Sequence, residues 1–501
     1  MIKYPGSNIK GFIAERMLPS TPGIVYIIVI LFFSTVNIFA QKEKIQITAK
    51  GNLNQNEVNG VKFREFVDNV EIRQGNMITT CDRAIYYYEK DEAELIGNVV
   101  SKQDTITIKT PKGYYYGAAS TVTSVSGIEL NDSHFTLRSR KGSYNFDEKK
   151  AVFTEGVVLF DSNSHVIANK LTYFRDEDKA VAVGNVEVRD TSSVIFADSL
   201  INFRIKRISY GYKNVKMFNP LNKTIILAGR FENKDSTGYS KITEKPVFVQ
   251  IDSTGGGKLD TLYMTSKTME AYQDSTDRFT ATDSVRMFRN NFSTVNSHTI
   301  FNRKENTIFT SRLEGDANPP LLWYENSQLI GDSIYINIDK KKLKQIRILQ
   351  NAFMLSMNEG FQYRYDQISG RKINMNFTDG EINMIDIDGN LLSIYYLYDE
   401  KDPNGLVKSS SERGRLIFKD KKIEDVKLYG AVVSDYHPEN IILGKEKDFT
   451  LPGFIIYNIK PRKEQFLTNQ IEAALIKLDE IIKNSDGKYS NIKKREPKKG
   501  L

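Results

Sequence analysis

The sequence predicts an all-β chain, an elongated stack of β repeats that ends in one amphipathic helix and a basic tail. Three observations carry that prediction. Between Lys44 and about residue 462, short runs rich in Val, Ile, Thr, Tyr and Phe alternate with short polar turns, and no helical period is sustained. Gly97, Gly127, Gly156 and Gly184 are spaced by 30, 29 and 28 residues, and Lys213 takes the next position after 29. Ten residues before four of these five markers stands an aromatic (Tyr87, Phe146, Phe174, Phe203), and Tyr116 stands eleven before Gly127. Two features held in register over several units mark a repeat architecture.

The chain opens with Lys3, Lys10 and Arg16, then an apolar run from Ile24 to Phe33 that continues to Ala40, followed by the polar Gln41-Lys42-Glu43-Lys44. A basic start, an apolar core and a small residue before a polar stretch read as a secretory signal cleaved near Ala40. The same residues also suit an uncleaved anchor, although residues 23–40 are at the short end of what a bilayer needs. On either reading the body is exported.

Residues 41–250 hold the regular repeats. After each marker comes an apolar residue, as in Asn98-Val99, Asn185-Val186 and Asn214-Val215, and a second element leads into a strand with a small or polar triplet, as in Cys81-Asp82-Arg83, Ala168-Asn169-Lys170 and Ala197-Asp198-Ser199. Each unit therefore holds about two strands and two turns. Residues 251–461 form a second, less regular block, resuming after a loop tip at Ser253 to Lys258 with Asp283-Ser284-Val285, Gly315, Gly331-Asp332-Ser333, Gly389-Asn390 and Gly430-Ala431-Val432. Roughly ten to twelve units are expected. Alternate residues of a strand face the same way. Positions two and four after the markers give Val99, Val158, Phe160, Val186, Val188, Val215, Met217, Val285 and Met287 as an apolar interior stripe, with Glu187, Arg189 and Lys216 on the wet face. Residues 462–501 differ in kind. Phe466, Ile471, Ala474, Leu475, Leu478, Ile481 and Ile482 follow helical spacing up to about Asn484, and a Lys-rich end follows Gly487.

Several chemistries are excluded. Cys81 is the only cysteine, which removes intramolecular disulfides and cysteine-rich zinc modules, and the four histidines form no HExxH. The net charge of +8 is concentrated at the two ends, so the near-neutral body offers no footprint for nucleic acid. Gly255-Gly256-Gly257-Lys258 is no P-loop, with Asp252 in place of the first glycine and Leu259 in place of the Ser/Thr. No nucleophile elbow is present. The expectation is a protein that is not an enzyme, with no cofactor, no metal and no catalytic residue.

The small-Asp-x-apolar strands (Cys81 to Tyr86, Ala197 to Asn202, Gly331 to Ile336) and the alternating strands ending in Gly-Asn-Val (Ala93 to Val99, Ala180 to Val186) resemble the OstA/LptA-like family of periplasmic lipopolysaccharide-transport bridge proteins. The resemblance is firm from about 45 to 215 and looser from 260 to 440. It implies a V-shaped β-jellyroll of stacked antiparallel strands whose apolar groove shields lipopolysaccharide acyl chains; the nine stripe residues above would then be groove residues. It also implies inner- and outer-membrane transport components as partners, and edge-to-edge self-association. The alternative, from another class, is an exported parallel β-helix that binds polysaccharide or serves as a structural surface protein.

Overall fold

The computed structural model describes residues 44–484 apart from 59, 163, 254–258, 274, 276, 291, 317 and 340–341; the expected signal or anchor, most of the loop tip and the Lys-rich end lie outside the described residues. Among the described residues, 32 strands join into one sheet. Neighbours are consecutive or nearly so in the chain, and the pairing is antiparallel throughout, from Gln46–Thr48 on Val61–Gln74 to Asp402–Lys419 on Val433–His437. Antiparallel pairing removes the parallel β-helix alternative. Strands Val247–Ser253 and Leu259–Thr265 pair along their length, so the sheet continues across residue 250.

The marker dipeptides explain how this sheet closes around an interior. At Gly97, Gly156, Gly184 and Lys213 they do not end strands, as the spacing suggested, but interrupt long strands at mid-length, whereas Gly127 lies between the short strands Thr121–Ser124 and Ile128–Asn131. The register shifts between Val67 and Val70, Ile96 and Val99, Thr154 and Val157, Val183 and Val186, and Tyr212 and Val215, and again at Thr282/Val285, Leu349/Ala352 and Asp388/Leu391. At each shift both skipped residues have positive φ, as in Gly97 (76°) with Asn98 (43°), Gly184 (79°) with Asn185 (47°) and Lys213 (58°) with Asn214 (49°). Two consecutive left-handed residues turn the chain through a corner, and Gly and Asn reach that region at least cost. Each long strand is thereby split into two arms. The first arm holds, for example, residues 99–103 and 106–110, and the second holds residues 92–96 and 113–116.

The small-Asp element is the other half of the same corner. Asn98 Nδ2 donates to Asp82 Oδ2 (2.9 Å), Asn214 Nδ2 to both oxygens of Asp198 (3.1 and 2.9 Å), and Asn351 Nδ2 to Asp332 Oδ2 (3.1 Å). Each bond ties a corner to the next strand of the stack.

Between the arms runs the core, divided between two clusters. The amino-terminal cluster centres on Tyr115, Tyr144, Leu130 and Leu137, and the carboxy-terminal one on Met264, Met287, Leu322, Ile336, Ile348 and Met375. The outer face differs along the stack. In the amino-terminal half it carries surface ion pairs such as Lys112 with Glu94 and Arg138 with Glu129 (2.5 and 2.7 Å), which solvent screens. From about Val194 onward the outer face of the first arm carries apolar patches, which residues 438–484 cover by doubling back over strands formed much earlier in the chain. Buried Arg364 pairs with Glu439 and Glu446 of this strap. Buried Gln367 donates to Phe449 O (3.0 Å) and accepts from Leu451 N (2.8 Å), and buried Gln328 does the same with Ile455 O (2.7 Å) and Tyr457 N (2.9 Å). A glutamine amide thus takes the role of a peptide group on a neighbouring strand, which satisfies an extended backbone that has no strand partner. The helix predicted from residue 462 begins at Asn469 and ends at Asn484, after a 3-10 turn at Lys463–Gln465. Its buried Ile471, Ala474, Leu478 and Ile481, with Phe466, pack on Val194, Phe218, Ile225, Val249 and Tyr263.

Gly97→Ala tests the corner. Its Cβ would overlap the Asp82 carboxylate at a backbone angle that L side chains avoid, at a cost of about 1–3 kcal/mol. A lower urea midpoint, with amide-exchange protection lost first around residues 82 and 98, is the expected outcome.

Candidate functional site

The antiparallel register lines up inward side chains into rows that cross the whole stack, and the burial along two of these rows locates the site. On the first arm, one row passes through Leu130, Leu137, Leu159, Val166, Val188, Ile195, Met217, Ile226, Phe248, Met264 and Met287. Leu130 and Leu137 are fully buried, and so are Met264 and Met287, but the seven residues from Leu159 to Phe248 are only half-buried. On the second arm, the facing row passes from Tyr144, Ala151 and Tyr173, all buried, through Ala180, Asn202, Ser209, Asn233, Ser240 and Ala271, all half-buried, to buried Phe279. The two half-buried stretches overlap. They define a window into the interior that spans six inter-strand steps on the first arm, roughly 29 Å at about 4.8 Å per step.

Contacts between the arms lie on both flanks of this window. On the amino-terminal side, Gln74 Nε2 donates to Gly117 O (3.2 Å), Arg175 to Asp104 (2.9 Å) and Thr105 (3.3 Å), and the Tyr173 hydroxyl to Asp132 Oδ2 (2.6 Å). On the carboxy-terminal side, Tyr324 meets Phe377 edge to face with centroids 5.2 Å apart, and Lys421 Nζ reaches Glu325 (3.6 Å). Deeper in the window the floor is buried and apolar, formed by Val186, Leu200, Val215, Phe231 and Ile242.

Of the nine interior residues expected from the sequence, seven point inward. Val99, Val186, Val215 and Val285 are the first inward residues after their corners and are at most 1% exposed; Met287 is fully buried. Val188 and Met217 line the window. Val158 and Phe160 face outward. Val158 pairs with Arg138 and exposed Ile167, and the Arg138 guanidinium lies 4.9 Å from the Phe160 ring centre. The inward residue is Val157, because Gly156 occupies the second left-handed position of its corner whereas Gly97 and Gly184 occupy the first. A slip of one residue reverses every side chain. Ile195 and Ile226 were missed because their strands run toward the corner with no marker before them, Phe248 because its corner, Glu244-Lys245, carries neither Gly nor Asn, and the polar residues of the second arm because they are not apolar. Counting back from the small element instead reaches two of them: Ile195 stands two before Ala197, and Ile226 two before Ala228.

Beyond the window, the carboxy-terminal end of the interior keeps a cavity of about 660 Å³ between the arms, with Ser327, Ser356, Asp366 and Ser393 on one side and Met375 and Phe418 on the other. Burial pushes the Asp366 carboxyl up to about 6, against hydrogen bonds from Tyr396 N (2.9 Å) and Asn358 Nδ2 (3.2 Å) that favour its charged form. Cys81 is buried, its thiol donating to Arg83 O (3.3 Å) and pushed by burial up to about 11, which suits packing and not reactivity. Among the described residues no group of three or more acidic, histidine or cysteine side chains is arranged to hold a metal ion, and no helix is long and apolar enough to cross a membrane.

Residues 42–198 match the family model described as OstA-like protein. The match takes in the amino-terminal flank of the window and its first strands, including Leu159, Val166, Val188 and Ile195. No curated protein matches the chain.

The Asp366 carboxyl yields a signed pH dependence. Its folded-state pKa lies above the ordinary 3.8, so the folded chain holds the proton more tightly and stability falls as pH rises from about 4 to about 6. Asp366→Asn removes that loss while keeping the acceptor for Tyr396 N. The variant is expected to melt above the parent protein at pH 7.5, with the two curves converging near pH 4; an equal difference at both pH values would show that ionisation is not the cause.

Proposed function

Since its amino-terminal part, residues 42–198, is OstA-like, a family related to lipid and lipopolysaccharide transport, we propose that this protein is a periplasmic lipid carrier that shields lipopolysaccharide acyl chains during their passage to the outer membrane. The observation that carries this reading is the coincidence of the two half-buried stretches. Apolar side chains that a closed sheet would bury stay within reach of solvent over seven consecutive positions of one row, from Leu159 to Phe248. An alkyl chain laid there is removed from water at about 0.8 kcal/mol per methylene, while sugars outside the arms remain hydrated.

Transfer on this reading is passive sequestration, not catalysis, and the energy comes from transport components at the two membranes. The ends of the stack suit such partners, and suit edge-to-edge contact with a second copy. The last strands expose Val426, Tyr429, Val433 and Tyr436, and the first hairpin exposes Leu53 and Val58. Unpaired edges of this kind accept a further strand.

Photo-crosslinking tests the route. A benzophenone side chain at Met217 or Ile226, inside the window, is expected to trap lipopolysaccharide in living cells, whereas one at Lys216, on the opposite face, is not. Failure at both inner positions, in protein shown to be exported and folded, would sink the carrier reading.

A further inference from the structure

The two walls of the window are chemically unlike. On the first arm the row is hydrocarbon throughout, Val188, Ile195, Met217, Ile226 and Phe248. On the second arm four successive cross-strand positions are polar: Asn202 pairs with Ser209, Ser209 with Asn233, and Asn233 with Ser240. Their inward direction follows from alternation, because Leu200, Phe231 and Ile242, two residues away on the same strands, belong to the core. The row carries no other such run: toward the amino terminus it is Tyr173, Ala151 and Tyr144, and toward the carboxy terminus Phe279, Phe301, Ile308 and Ile336. Polar residues interrupt this otherwise apolar wall only where the arms stand open.

The four side chains bond to each other in two pairs and leave capacity over. Asn202 Nδ2 donates to Ser209 Oγ (2.9 Å), and Ser240 Oγ donates to Asn233 Oδ1 (2.7 Å). That leaves the Asn202 carbonyl as an acceptor and the Asn233 amide and Ser209 hydroxyl as donors, all uncharged and directed into the window. A ligand with only methylene groups would strip water from these atoms without replacing it, which is unfavourable. One with a carboxylate or phosphate at this depth would meet no cation among the four.

We propose that the Asn202–Ser209–Asn233–Ser240 ladder reads neutral carbonyl and hydroxyl groups where acyl chains join their headgroup, so that the window selects amide- or ester-linked, hydroxylated acyl amphiphiles over plain hydrocarbon. The chains lie on the Val188–Phe248 wall and the linkage turns to the ladder. This inference rests on the lipid-carrier reading above and assigns a specificity to one wall of it.

The test separates the two readings by using two probes on the purified protein. N-phenyl-1-naphthylamine, an apolar dye, reports the hydrocarbon wall, and lipid A, with its amide, ester and hydroxyl groups, is the competitor. In the parent protein the dye binds and lipid A displaces it. In Asn202→Leu/Asn233→Leu the dye is expected to bind as tightly or more so, while lipid A loses about tenfold or more in competition. Ser209→Ala/Ser240→Ala, which removes atoms without adding bulk, should show the same loss in smaller measure, and dye affinity no weaker than the parent's in both variants shows that the window is intact. Equal competition by lipid A in parent and both variants overturns the ladder and leaves the carrier standing. Binding of neither probe to the parent overturns both.

Discussion

The structure depends on one local backbone event, the placing of two adjacent residues in the left-handed region at the middle of a strand. A sheet of this length without corners would be an open ribbon with two wet faces. With a corner at the same height in strand after strand, the halves face each other and a continuous interior exists. Identical height is the demanding part, since a corner displaced by one residue would turn the inward row outward on one arm. The bonds from Asn98, Asn214 and Asn351 to the aspartates of the adjacent strands hold neighbouring corners level. The rows that define the window are straight because those corners are.

The two halves of the stack solve the outer face differently. In the amino-terminal half the outside is polar, so a single layer of sheet suffices. Further along, residues such as Phe218, Ile225, Leu321 and Trp323 make the outside of the first arm apolar in patches, and a second layer becomes obligatory over them. The strap provides it, fastened by Arg364 and by the two glutamines that imitate a strand edge. The window lies across this transition, so its amino-terminal strands are free on the outside while its carboxy-terminal strands are backed by the helix.

Much of this was legible in the sequence, for a physical reason. Gly and Asn recur at the corners because few other residues tolerate positive φ, so Gly97-Asn98 and Gly184-Asn185 announce the repeat directly. Glu155-Gly156 shows the limit: glycine suits either position of the pair, and reading it as the first placed Val158 and Phe160 inside when Val157 is there. The amphipathic spacing from Phe466 to Ile482 announced a helix but not its target, because the apolar outer face of residues 194–288 reads locally like any other half-buried strand. The window left no local trace at all. Whether Met217 is half-buried and Met287 fully buried depends on the separation of the arms, a property of turns far away in sequence. The polar ladder was hidden for the same cause, since Asn202 and Ser209 look like outward residues until the corner fixes their direction.

The strap also imposes an order on biosynthesis. The apolar outer surface around Val194, Phe218 and Ile225 emerges from the ribosome some 250 residues before Ile471 and Leu478, which cover it. Until those last residues arrive, the sheet presents a bare hydrophobic flank to its surroundings. About half of the chain is therefore made while this flank is unprotected, which is the situation in which holding chaperones act. It also follows that a premature stop between about residues 438 and 466 releases a product whose repeats are complete but whose surface is adhesive. Such a product would be recognised by quality-control proteases through the missing cover, not through any defect in the stack.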